Sequence, residues 1–389
     1  MGLPVFILSL NALRCFRLVL QCEGCQPTQP RRDTLDAMLL IENQPLAPLT
    51  TFGIGGLARW FVEAVSEAEI EEAVGWAAER GIDLFVLGGG SNLLISDAGF
   101  NGLVLKIALP GIDWIDSAGQ SKTLRAGAGI SWDDCVNRAI AANCAGVECL
   151  AGIPGTVGGT PVQNVGAYGQ EVSTVIENVR AFDRRERGFV ALSTAECKFS
   201  YRRSRFNTTD RNRFIVTRVD YRLTRDGAPT IGYADIERAL AAAHPSGSEP
   251  TLEEVAAAVR CVRQGKGMLL VDGDPDCRSA GSFFKNPVIT EEVLRSVEAR
   301  SAAAPPRFTA GADNADRVKI PAAWLIEHAG FAKGFALGAA GISSKHTLAL
   351  INRGGATASD ILALAERISD TVAEKFGVGL EMEPERVGF

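Results

Sequence analysis

The sequence predicts an α+β protein, on three observations. Strand-like and helix-like stretches interleave unevenly from Leu49 onward. Glycine crowds residues 81–169, where it punctuates strand-like runs with loops. No strict repeat of fixed period runs through the chain.

In chain order, residues 1–37 read unlike the rest. The first 20 residues are apolar but broken by Pro4, Arg14 and Arg17. They lack a basic start and an apolar run of membrane-spanning length. We expect a non-native or misassigned extension, with the working chain starting near Met38. Residues 58–64 then read as a strand, and Ser66 with Glu69 as a capping box opening a helix. Ile70, Ala73, Val74 and Ala77 recur at helical spacing, and Gly81 is placed to stop the helix. Residues 84–87 form a strand running into Gly88-Gly89-Gly90-Ser91-Asn92, and 93–95 and 104–107 are further strands. This is a β–α–β–β unit. A second unit opens with strand 124–126 and a helix capped by Ser131 that runs to about Ala142. Residues 151–171 read as loop, 175–183 and 214–223 as strands, and Thr251 with Glu254 as another helix start. A third unit begins near Ser279. In it Pro321 occupies the first turn of a helix ending at Gly330, and a last helix runs from about Asp360 to Phe376, stopped by Gly377.

The 389 residues, 46% hydrophobic, hold one large core or two to three smaller ones. A net charge of −6 gives no global basic field for nucleic acid. The arginine-rich stretch 198–225 reads as a solvated strand and loop face, with one or two members feeding an anion site. Nine cysteines, odd in number and scattered through apolar segments, argue against a disulfide framework. Cys22 and Cys25 form a CxxC without a second pair at zinc spacing, and His244, His328 and His346 do not cluster. The sequence therefore predicts no metal site.

Two glycine loops carry the ligand argument. Gly88 to Asn92 reads either as a tight turn or as a nest of backbone N–H groups around a phosphate. A Rossmann loop would open a helix, whereas a strand follows here. In the second loop, Gly152-Ile153-Pro154-Gly155-Thr156-Val157-Gly158-Gly159, the lack of large side chains leaves N–H donors bare for a pyrophosphate. Gln163 and Asn164 add amides suited to a heterocycle edge.

Taken together, TTFGIGG, LGGGSNLLISDAGFNGLV, AGAGISW and AGIPGTVGGTPVQNVGAYGQE resemble the flavin-binding half of the UDP-N-acetylenolpyruvoylglucosamine reductases. The resemblance runs from about Leu46 to the C-terminus. It implies a vanillyl-alcohol-oxidase-type FAD fold of two α+β subdomains, 38–108 and 109–265. A C-terminal α+β substrate-binding domain, 266–376, and a tail, 377–389, would follow. It also implies noncovalent FAD with its pyrophosphate in the two glycine loops, and adds Gly166 and Ala167 to the cofactor contacts.

Tyr201-Arg202-Arg203-Ser204 is similar to the family's Tyr-Arg-x-Ser motif, which implies Arg202 beside the substrate carboxylate and Tyr201 as a substrate contact. A guanidinium suits that place because it stays charged and pairs as a planar fork. Gly281-Ser282-Phe283-Phe284-Lys285-Asn286-Pro287 resembles the motif that carries the proton donor, Ser282, and a substrate contact, Asn286. The catalytic glutamate falls on Glu383, between Glu381 and Glu385, and Lys266 and Tyr233 match positions on the substrate pyrophosphate. Thr50, Phe308 and His346 depart from the asparagine, tyrosine and glutamine of some relatives. The implied reaction is reduction of FAD by NADPH, then hydride transfer to UDP-N-acetylglucosamine enolpyruvate and protonation by Ser282, giving UDP-N-acetylmuramate for peptidoglycan. The implied setting is a cytoplasmic monomer with no nucleic-acid or membrane partner. Two rivals are a sugar oxidase on the same fold and a flavin-binding protein without turnover. The first is disfavoured because no histidine lies in the glycine loops to tether flavin, the second because Arg202, Ser282 and Glu383 occur together.

Overall fold

Sheets and helices frame the glycine loops in the computed structural model, which describes residues 38–116, 119–243, 249–309 and 316–389. The extension 1–37, with Cys22 and Cys25, and His244 lie outside the described residues.

The first sheet is built from β1 (Ile41–Pro45), β2 (Leu57–Ala64), β3 (Leu84–Leu87) and β5 (Phe100–Ile107), with α1 (Glu67–Glu79) crossing between β2 and β3 and the short β4 (Leu93–Ile95) preceding β5. Its order is β1-β2-β5-β3, with β5 parallel to both neighbours and β1 antiparallel to β2. Helix α1 starts where Ser66 accepts the Glu69 N–H. The returning Glu69 carboxylate binds Val65 N at 2.6 Å rather than Ser66 N, so the expected box is one residue wider. Ile70, Ala73, Val74 and Ala77 are buried as their spacing predicts, and Gly81 leaves the helix at φ +62.

The second sheet follows with β6 (Ile112–Asp116), β7 (Ser121–Gly127), α2 (Trp132–Ala141), β8 (Cys144–Ala145), the hairpin β9 (Gly166–Ala167) and β10 (Gln170–Glu171), then β11 (Ile176–Asp183), β12 (Gly188–Ser193), α3 (Thr194–Cys197) and β13 (Phe214–Arg225). It is antiparallel, in the order β12-β11-β13-β7-β6, with β8 on the end of β13. The expected loop 151–171 thus contains local structure: a 3-10 turn at Val157–Gly159 and the β9–β10 hairpin. Its turn residues Tyr168 and Gly169 have φ of 50° and 88°. Positive φ at both central positions matches the twist of the flanking strands in a two-residue hairpin. Much of the arginine-rich stretch is paired across the sheet and its loops, including Arg205 with Asp210 at 2.9 Å and Arg213 with Asp183 at 2.6 Å. Helices α4 (Ala234–Ala243) and α5 (Leu252–Gly265) pack together, the latter opened by a complete Thr251–Glu254 capping box.

The C-terminal part contains β14 (Val288–Thr290), α6 (Glu291–Ala299), β15 (Phe308–Thr309), β16 (Arg317–Lys319), α7 (Ala322–His328), β17 (Ala336–Leu337), β18 (Ala340–Ile342), β19 (Leu350–Asn352), α8 (Ala358–Phe376) and β20 (Glu385–Val387). Pro321 is the N-cap of α7 with φ −68, one position before the first turn. Helix α8 begins two residues before Asp360 because Thr357 is the cap and Asp360 is its capping-box partner. Its Ile361, Leu364, Ala365, Ile368, Val372 and Phe376 form one buried stripe. Each large member of such a stripe contributes about 1.5–3 kcal/mol.

The largest core lies between the first two sheets, and a second gathers α7, α8, Phe283 and Phe284. Phe52, Ile54 and Leu94 reach from the N-terminal part into that second core. Strand β20 returns to pair parallel with β4, Glu385 opposite Leu93 and Val387 opposite Ile95.

Candidate active site

The two glycine loops touch, and their lack of side chains makes the contact possible. A Cβ on Gly89 would stand 2.6 Å from the Gly155 Cα, and one on Gly90, at φ +66, would stand 1.8 Å from the Leu49 carbonyl oxygen. Ser91 Oγ donates to Pro154 O at 3.0 Å and fastens one loop to the other. Between them lies a cavity of about 140 Å³ lined by Gly88 to Asn92, Ile153, Pro154, Thr156, Gly159 and Gln163. A Cβ on Gly159 would meet no protein atom within 4 Å. The buried Thr156 hydroxyl has no protein partner. A buried hydroxyl without a partner is costly. A narrow cradle with a bare glycine and an unanswered hydroxyl fits a pyrophosphate-bearing cofactor such as FAD.

The cradle opens into a cleft of about 350 Å³ that shares Ser91, Asn92, Ile153, Pro154 and Gln163 with it. Asn92 Nδ2 donates to Gln163 Oε1 at 2.8 Å and to Glu383 O at 3.3 Å, which ties the C-terminal segment to the cradle. Arg202 sits in a tight turn closed by reciprocal backbone bonds between Ser200 and Arg203, at φ +56. Such φ values are uncommon outside glycine and persist where surroundings enforce them. Here Asn207 Nδ2 holds the Arg202 carbonyl at 3.2 Å. The Arg202 guanidinium reaches Gly166 O at 2.7 Å and Glu383 Oε1 at 3.1 Å. Burial pushes the Glu383 carboxyl above its ordinary range, opposed by the charges of Arg202 and Lys285. Its neighbours differ: Glu381 is 64% exposed and pairs with Lys285, and Glu385 is 38% exposed and pairs with Arg211, against 15% for Glu383.

Ser282 faces the same cleft, in a segment held by backbone bonds to the segment around Glu383. Phe284 bridges Met382, Lys285 N donates to Glu381 O, and Glu383 N donates to Phe283 O at 2.9 Å. Phe283 and Phe284 pack edge-to-face and bury their rings, so the loop bearing Ser282 is anchored from behind. Asn286 Oδ1 accepts Ala322 N at 3.0 Å.

At the other end of the cleft, Lys266 Nζ lies 2.6 Å from Asp235 Oδ2 and 5.8 and 5.9 Å from the ring centres of Tyr168 and Tyr233. Those rings form a T-shaped pair, 5.3 Å apart. Burial raises the Tyr168 phenol, with Arg263 and Lys266 opposing. His346 is pushed down to about 4 by burial and by Lys266 and Lys333, so its ring is neutral. Its Nδ1 accepts Leu348 N at 3.1 Å, which leaves the proton on Nε2.

The structure brings Arg202, Glu383, Ser282, Asn286, Tyr233 and Lys266 to one cleft, with Gly166 and Ala167 on its wall. Three expected cofactor contacts are occupied elsewhere. Asn164 is fully buried and spends its amide on Glu171, Ser200 and Ser173. Gly158 makes room for Ala128, whose Cβ would stand 2.7 Å from an added Cβ, and Gly152 bonds Asp133 and Arg263. Tyr201 lies under Lys319, whose Nζ is 4.5 Å from its ring. Sequence reading missed Tyr168, Arg263 and Lys319 as neighbours of the site. Tyr168 was findable from its place beside Gly169, but a lone lysine on a strand carries no such signal. Phe308 is exposed on β15, opposite Lys319. Among the described residues no group of three or more metal-ligating side chains comes together.

Residues 58–187 match the family model described as FAD binding domain, and residues 274–387 the model described as UDP-N-acetylenolpyruvoylglucosamine reductase, C-terminal domain. The chain is 48% identical over 363 residues to the UDP-N-acetylenolpyruvoylglucosamine reductase of Streptomyces coelicolor, covering 91% of this chain and 92% of that protein. It is 44% identical over 350 residues to that of Thermobifida fusca, covering 89% of this chain and 97% of that protein. The crystal structure of the Thermus caldophilus reductase aligns with a TM-score of 0.59 at 27% identity, covering 90% of this chain and 99% of that one.

Proposed function

Since the chain belongs to the UDP-N-acetylenolpyruvoylglucosamine reductase family, we propose that Arg202, Ser282 and Glu383 are the residues that carry its chemistry. The protein is an FAD-dependent oxidoreductase with the α+β, vanillyl-alcohol-oxidase-type cofactor domain. It reduces the enolpyruvyl ether of UDP-N-acetylglucosamine with NADPH, in peptidoglycan precursor synthesis. The observation that carries the residue assignment is the Arg202–Glu383 pair at 3.1 Å, in one cleft with Ser282 and open to the glycine cradle.

FAD, when bound, would supply the hydride for the methylene carbon, and Gly88, Gly89, Gly90, Ser91, Gly155, Thr156 and Gly159 would hold its pyrophosphate. Arg202 pairs with the substrate carboxylate and offsets the negative charge that grows beside it as the hydride arrives. Ser282 gives its hydroxyl proton to the carbon next to that carboxylate. An enolate is basic enough to take it, and the packed Phe-Phe loop keeps the hydroxyl placed. Glu383 orients Arg202. Held above its usual carboxylate range, it also keeps a proton closer to neutral pH than a solvated glutamate would. Lys266 and Tyr233 take the diphosphate, and Asn286 and Tyr201 border the substrate.

The same reading divides the chain into cofactor subdomains 38–108 and 109–265, a substrate domain 266–376 and the tail 377–389 that brings Glu383 back. Among the described residues no helix is long and apolar enough to cross a membrane. We infer a cytoplasmic setting from the nucleotide-sugar substrate, and a monomer from the family resemblance; sedimentation of the purified protein at twice the chain mass would refute the last point.

Replacing Ser282 by Ala tests the assignment in separated half-reactions. Reoxidation of reduced flavin by the enolpyruvyl sugar should slow by about 10²–10⁴-fold, the usual reach of a positioned acid. Reduction by NADPH should keep its rate. Equal loss in both halves removes Ser282 from the protonation step.

A further inference from the structure

A buried carboxylate outside the cleft joins the two tyrosines that wall it. Glu148 is 1% exposed, and among the described residues no lysine or arginine pairs with it. Its charge is met by neutral N–H groups alone. Oε2 accepts Gly146 N at 2.7 Å, and Oε1 accepts Gln170 Nε2 at 2.7 Å and Thr230 N at 2.8 Å. A carboxylate is the side chain that accepts three such bonds, because it has two oxygens and no donor of its own. The next residue repeats both attachments. Cys149 N donates to Gln170 Oε1 at 2.8 Å, and Cys149 Sγ donates to Thr230 O at 3.1 Å.

Two adjacent residues therefore grip both ends of the Gln170 amide and both backbone groups of Thr230. Gln170 opens β10, directly after the Tyr168–Gly169 turn. Thr230 stands three residues before Tyr233. These are the two rings of the T-shaped pair beside Lys266. Burying a carboxylate with no cation beside it is costly unless hydrogen bonds answer its oxygens. The cost is met here by bonds whose common effect is to fix one tyrosine-bearing segment against the other.

We propose that Glu148, with Cys149, is a positioning residue that sets the separation of Tyr168 and Tyr233 and thereby the affinity of the cleft for the diphosphate end of the substrate. The proposal rests on the reductase reading given above.

The test is Glu148→Gln in the flavin-loaded full chain, with steady-state and half-reaction kinetics. A glutamine amide offers one acceptor oxygen and points its NH2 at an N–H it replaced an acceptor for. KM for the enolpyruvyl sugar should rise about tenfold, equivalent to 1.4 kcal/mol. The rate at saturating sugar should change less than about threefold, and the flavin content should hold. A fall in melting temperature with KM unchanged, or a loss of rate with no change in KM, overturns the proposal. If Glu148→Gln does not fold, Cys149→Ala decides, since it removes only the sulfur bond to Thr230. A KM rise of a few fold supports the clamp, and an unchanged KM refutes it. Wild-type flavin that is not reoxidised by the enolpyruvyl sugar would refute the reductase reading instead, before either variant is tested.

Discussion

Glu383 is a site carboxyl whose charge state depends on its surroundings. Its folded pKa is raised, chiefly by burial. Protonation therefore favours the folded state, and the stability this gives is present below the unfolded value of about 4.3 and is lost as pH rises through the folded value. Replacing it with glutamine removes that dependence. The melting temperature of Glu383→Gln, minus that of the wild type, should grow as pH rises from about 4 to 7, and flavin turnover should fall. A flat difference across that range means the carboxyl titrates as in solvent. Much at this scale was legible in the sequence, because motifs such as Gly-Ser-Phe-Phe-Lys-Asn-Pro combine residue types rarely found together. Burial was not legible. Three glutamates within five residues look alike as letters, and Asn164 reads as a ligand amide until its three internal partners are seen.

Elements carry the cofactor argument. The cradle is two loops whose glycines serve different ends, and a substitution distinguishes them. Gly90→Ala collides with the backbone at Leu49 and should prevent folding of the loop. Gly159→Ala meets nothing in the protein, and its φ is not in the left-handed region. It should fold with unchanged far-ultraviolet dichroism and melt normally without flavin, yet be purified with little of the yellow cofactor. Full flavin content in that variant would place the pyrophosphate elsewhere. The strands and helices that were read from the sequence shift at their bounds by a few residues, since caps such as Thr251 and alternating burial leave local marks, whereas α4, α6 and the short C-terminal strands were not read. The β9–β10 hairpin left a weaker mark. Strands of two residues have no period to read, and the turn places a tyrosine at a positive φ where glycine or asparagine is expected.

At the scale of the whole molecule, the early and late parts of the chain are sewn together. Thr51 Oγ1 donates to Ser279 O at 2.6 Å, and Asn352 Nδ2 to Phe52 O at 3.0 Å. The Asp97 carboxylate accepts the Ala358 and Ser359 N–H groups that open α8. None of these contacts is visible in a sequence, because they join residues more than two hundred positions apart and depend on side chains common in any loop. Met38 is 4% exposed and belongs to the large core. A chain starting at Met38 should fold, bind FAD and turn over at the full-length rate. A loss of either property assigns residues 1–37 a structural part.

The hydrogen bonds from Asn92 to Gln163 and to Glu383 span 71 and 291 positions of sequence. During translation the glycine loops leave the ribosome long before the strand that brings Glu383 beside them. Strand β4, which leaves the first glycine loop, pairs with β20, and Glu385 lines the cradle. The cradle and the centre around Arg202 are therefore both completed by the last residues to be made.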